Sequence, residues 1–118
     1  MIIIRDIPQA ALVTDIAIRQ MVLSRIEAIA SGEPYDANLH GYFIVIEAGD
    51  TLQDIAATIG FDPTERPCEI LEAYATCYDL LFIIDDSGYG IELFIPKTEG
   101  IPPELGVYCQ QYAVPGTL

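Results

Sequence analysis

Basic residues are scarce in this chain. Only five lysines and arginines stand against 18 aspartates and glutamates in 118 residues, a formal charge of −13. Such a field repels phosphate backbones and anionic lipid, so binding to nucleic acid or to a membrane surface is not expected. The deficit is uneven. Residues 1–25 hold three arginines against two aspartates, which leaves two basic and sixteen acidic residues after them. A solvated acidic face is the plainest meaning of that excess, and a basic protein partner is the functional one.

Cysteine is thin as well. Cys68, Cys77 and Cys109 are odd in number and form no CxxC pair, so they make no disulfide framework. Reduced thiols in a cytoplasmic protein fit better. Residues 1–7, MIIIRDI, lack the basic, apolar and small-residue regions of a secretory signal. No uninterrupted apolar run is long enough to span a bilayer, because Asp15, Arg19, Gln20, Arg25 and Glu27 break up residues 10–30. Repeats, low-complexity tracts and linkers are missing too. With 52% hydrophobic residues the chain can offset its conformational entropy, and one domain over 1–118 is expected.

What is present reads as alternating strands and helices. Three consecutive isoleucines at the start of residues 1–7 predict a short edge strand, ended by Pro8, which has no backbone donor. Residues 8–31 predict the longest helix, with Gly32 as its C-cap. Its apolar positions spread over roughly 220°, wider than one packing face needs. Either two sides are covered within the chain, or a second copy packs on residues 10–30 in a homodimer through Ile18, Met21, Val22 and Ile29.

Residues 32–41 are rich in Gly, Pro, Asp and Asn and predict a loop. Residues 42–46, YFIVI, are apolar throughout and predict a strand covered on both faces. Asp50 and Gln53 then predict a capped helix start, and Gly60 its stop. A third helix is predicted over 67–76 behind Pro67. Residues 80–84 and 91–95, LLFII and IELFI, flank the turn 85–90 and predict an antiparallel hairpin. A short helix is expected within 104–113. The sum is an α+β fold: a mixed sheet of three or four strands packed against a long N-terminal helix and two or three short ones.

Candidate chemistry is sparse. His40 with the three cysteines lacks the close ligand spacing of structural zinc, and the Asp85-Asp86-Ser87-Gly88 turn lacks the later donors of a calcium loop. No metal or cofactor is expected. Cys77 and His40 with Asp36 or Asp79 form no nucleophile motif, and GYG at 88–90 is too short to cradle phosphate. Tyrosines near element ends are more suggestive, because a ring can bury while its hydroxyl meets a partner. With the carboxylates they nominate Tyr42, Glu47, Asp50, Tyr78, Asp85, Asp86 and Tyr89 as a binding surface. Glu47 and Asp50 also sit at a strand's carboxyl end, where open sheets place sites.

Two resemblances accompany these readings. Tyr42, Val45, Gly49, Asp50, Thr51, Leu52, Ile55, Ala56 and Gly60 give residues 42–60 a pattern that resembles the start of a LysM glycan-binding module. That resemblance implies peptidoglycan binding; the extra apolar run at 80–84 and the missing Asn-containing helix end depart from it. Residues 35–50, 77–97 and 109–113 (YDANLHGYFIVIEAGD, CYDLLFIIDDSGYGIELFIPK and CQQYA) resemble a family of small acidic uncharacterised bacterial proteins of the mobile-element type. It implies a fold and no catalytic residue. The leading expectation is therefore a non-enzymatic interaction or regulatory domain that presents an acidic face to a basic protein. The alternatives are a LysM-like glycan binder and an enzyme with a carboxylate and tyrosine pocket.

Overall fold

Strand β1 (Ile2–Ile4) lies antiparallel to β2 (Tyr42–Val45), and β2 lies parallel to β5 (Gly90–Pro96). In the computed structural model, which describes residues 1–60, 62–64, 70–75, 78–84, 90–96, 103–104, 107–108 and 114–115, these three strands form one side of a mixed sheet. The ladder continues through β4 (Tyr78–Ile84) and β3 (Ile70–Ala75) to β6 (Val114–Pro115), in the order β1-β2-β5-β4-β3-β6. The fold is α+β, and β1 is the short edge strand that the isoleucine run predicts.

Alternation along β2 and β5 sorts the core into two layers. Tyr42, Ile44 and Ile46 share one face with Leu93, and helix α3 (Leu52–Ile59) lays Leu52 and Ile55 on it. Phe43 and Val45 share the other with Ile4 and Phe94, covered by Ile18, Val22 and Ile26 of helix α1 (Ile16–Ala30). Every residue from Gly41 to Ile46 is buried, as the unbroken apolar run requires of a strand with helices on both sides.

The long N-terminal helix is shorter than its composition predicts. Pro8–Leu12 is a 3-10 turn, Val13 is extended, and the Asp15 carboxylate accepts from the Ile18 amide to start α1 afresh. A short polar side chain that can satisfy the backbone locally ends one helix and caps the next. Ser31, at φ 52°, closes α1 one residue before the predicted Gly32.

The same helix buries two residues of the predicted dimer contact. Ile18 and Val22 are 1% and 0% exposed against the chain's own sheet, so neither is open to a second subunit. Met21 and Ile29 are half-buried on the same cluster. The surplus of the broad apolar face lies elsewhere: Ile16 and Leu23, seven residues apart, remain 65% and 38% exposed.

Residues 70–75 correct the third helix. They pair antiparallel with β4, Ile70 opposite Ile84 and Ala75 opposite Asp79. Apolar positions in so short a segment fit either period, and pairing with an apolar strand decides between them. The hairpin of β4 and β5 is antiparallel, as predicted. A one-turn helix, α2 (Ala37–His40), stands within the predicted loop, capped by Asp36 on the Asn38 amide at 2.9 Å. Residues 104 and 107–108 of the predicted tail helix are helical, as is residue 103 just before it; most of that helix lies outside the described residues.

Candidate functional site

At the carboxyl end of β2 the two predicted carboxylates meet a cation, the Met1 ammonium. It lies 3.0 Å from Glu47 and 3.0 Å from Asp50, beside the strand that the isoleucines build. Asp50 also accepts from the Glu47 amide at 2.8 Å, tightening the turn whose Gly49 sits at φ 91°. Burial works against the ammonium, but hydrogen bonds and charge from Glu47 and Asp50 outweigh it and hold its pKa above the ordinary α-amino value. The GDTL residues thus have structural tasks. Thr51 caps α3 by accepting from the Asp54 amide at 3.1 Å, so the cap falls one residue later than predicted, and Gly60 ends the helix at φ 96°.

Tyr42 is not part of that cluster. It lies at the other end of β2, about 16 Å away at 3.3 Å per residue. Its ring is buried, with the Arg5 guanidinium stacked 4.2 Å from the ring centre. The antiparallel register, which sets Ile4 opposite Phe43, makes that contact. Tyr78 pairs with Pro96, and the parallel register of β2 and β5 puts it at the Glu47 end of the sheet. Asp85, Asp86 and Tyr89 lie outside the described residues.

A second polar cluster was not foreseen. Glu92 points from β5 into the α1 layer, 3% exposed, and Arg25 of α1 grips both its oxygens, with Nε 2.9 Å from Oε1. Burial lifts the Glu92 pKa above the usual carboxylate range, against the lowering pull of Arg25. The signal was present in the sequence: Glu92 is the lone acid of IELFI, and Arg25 a lone cation near the end of an apolar helix. Glu92 also lines a cleft of about 380 Å³ with Tyr42, His40 and Ser31. His40 bonds locally, its Nδ1 accepting from the Asp36 amide at 3.0 Å, and its ring stacks on Tyr35.

The third locus is apolar and outward. Ile7, Leu12, Ile16 and Leu23 are 53%, 63%, 65% and 38% exposed along the 3-10 turn and the outer stripe of α1. Ile7 and Leu23 wall a groove of about 370 Å³ whose rim carries Glu27 and Glu33. Both carboxylates are exposed. The breadth of the apolar face is legible in the sequence, and its exposed surplus includes Ile16 and Leu23, which are not among the predicted contact residues Ile18, Met21, Val22 and Ile29.

Among the described residues no group of three or more His, Cys, Asp or Glu is placed to hold a metal ion, and no helix is long and apolar enough to cross a membrane. Compared with known proteins, the chain matches no family model, no curated protein and no solved structure.

Proposed function

We propose that this protein is a non-enzymatic interaction or regulatory domain that holds a basic protein on the outer side of α1. The observation that carries this reading is the set of exposed aliphatic side chains, Ile7, Leu12, Ile16 and Leu23, on a chain of charge −13. Apolar side chains left in water beside carboxylates are what a cationic partner with an apolar face complements. The domain works in the cytoplasm, with reduced cysteines, and binds neither nucleic acid nor lipid. Immobilised protein exposed to a lysate of its host at low and high salt tests the reading. A basic protein retained at low salt and released at high salt is expected; retention of none sinks it.

A second reading, a small-molecule pocket, is favoured by the cleft that brings together Glu92, Tyr42 and His40. The cleft lies at the opposite end of the strand from Glu47 and Asp50 and would use Glu92 with His40, because the Tyr42 ring faces the α3 side of the sheet. A metabolite library screened by thermal shift decides it: a hit abolished by His40→Ala supports the pocket, and no hit removes it.

A further inference from the structure

The groove beside the C-terminal half of α1 can be assigned an occupant from its own chemistry. Its floor is apolar and close-packed, with Ile26 and Ala30 only 4% and 5% exposed. Its walls, Ile7 and Leu23, stand half in water. Its rim is anionic, through Glu27 on α1 and Glu33 in the turn that follows. The C-terminal end of α1, at Ala30 in the groove lining, adds partial negative charge from its last carbonyls. A second trough of about 810 Å³ shares Glu33 with the groove and runs past Asp36 to Leu39, which is 72% exposed. The cation of that trough, Arg5, is stacked on the Tyr42 ring.

Those features discriminate between occupants. A second copy of this chain, docked through the same patch about a two-fold axis, would bring its own Glu27 and Glu33 against the first pair, and the like charges would oppose closure. A cationic segment meets complementary charge on both sides of the groove and buries the same aliphatic walls. We propose that the groove docks a cationic amphipathic segment of a partner protein, with its apolar side chains between Ile7 and Leu23 and its Lys or Arg side chains on Glu27 and Glu33. This inference rests on the interaction reading above and names the surface and the partner chemistry.

The test is fluorescence anisotropy with a labelled peptide of leucine and lysine, its leucines at helical spacing. The same composition in scrambled order and the same pattern with glutamate for lysine serve as controls. The full chain is compared with Leu23→Asp and with Glu27→Gln/Glu33→Gln, all exposed positions, each checked for native far-UV circular dichroism. The patterned cationic peptide is expected to bind best. Leu23→Asp should weaken it about ten-fold or more, since a buried aliphatic contact is lost and a charge gained in its place. The double glutamine variant should weaken binding and flatten its salt dependence. Equal binding by all three proteins overturns the proposal, as does a light-scattering dimer that Leu23→Asp dissociates, which would make the occupant a second copy. Host-lysate capture separates the levels of the argument. A basic protein retained equally by wild type and Leu23→Asp overturns the groove and leaves the interaction reading standing; no basic protein on either overturns that reading.

Discussion

Replacing Arg25 with methionine keeps most of the aliphatic stem and removes the only charge drawn onto Glu92 by the bonds described above. Glu92 is 3% exposed, so the variant leaves a nearly buried carboxylate in the α1 layer without the counter-ion described above. Breaking a buried pair from one side costs about 3–5 kcal/mol, a large share of the roughly 5–15 kcal/mol that holds a domain folded. At a urea dependence of about 2 kcal/mol per molar, the midpoint should fall by about 1.5–2.5 M near pH 7.

The penalty depends on pH in a definite sense. The pKa of Glu92 is raised in the folded chain, so its contribution to stability is complete below the unfolded value of about 4.3 and is lost as pH rises through the folded value. Without Arg25 the lowering pull disappears and that folded value climbs further. The variant should therefore recover part of its lost stability as pH falls towards about 5, since Glu92 can then bury as a neutral acid. Arg25→Met/Glu92→Leu should restore most of it at neutral pH, because an apolar pair of similar volume avoids desolvating two charges. Urea melts followed by circular dichroism give all these numbers. An Arg25→Met midpoint within about 0.5 M of wild type at neutral pH would refute the buried pair.

Other residues give sharper local tests. Gly41 sits at φ 88°, and an added Cβ would lie 1.8 Å from the Gly90 carbonyl oxygen where β2 and β5 begin side by side. Gly41→Ala should therefore destabilise far more than Gly49→Ala, which meets nothing within 4 Å and bears only the left-handed backbone cost of about 1–2 kcal/mol; equal urea midpoints would contradict the close approach. Thr51→Ala should cost about 1 kcal/mol through the lost cap of α3, and Thr51→Ser much less. The Met1 ammonium should titrate above its ordinary value, so its contact with Glu47 and Asp50 is intact below that value and lost as pH rises through the raised one; NMR titration should show the shift vanish in Glu47→Gln/Asp50→Asn. Because GDTL is committed to the β2–α3 joint, the protein should not sediment with purified peptidoglycan, and co-sedimentation would revive the glycan reading.

Much of the architecture was legible because it is local. The apolar run at 42–46 announces a strand buried on both faces, and the turn residues at 85–90 announce a hairpin. Helix α3 was equally plain, with the cap displaced from Asp50 to Thr51 because Asp50 is held by a residue 49 positions away, Met1. Long-range pairing is what the sequence hid. Residues 70–75 carry apolar positions compatible with either period and become a strand only by pairing with β4. The same limit applied to the site. The breadth of the α1 face was visible, but which stripe turns inward depends on where Asp15 restarts the helix, and that places Ile18 and Val22 inside and Leu23 outside. Arg25 and Glu92 are 67 residues apart, and no spacing rule joins them.

Amide hydrogen exchange, measured on the chain alone and bound to the basic protein captured at low salt, tests the central claim most directly. The account predicts new protection in the C-terminal half of α1 and the 32–35 turn, together with residue 7, and little change at the Glu47 and Asp50 turn. Protection centred on residues 47–50, or none along α1, would contradict it.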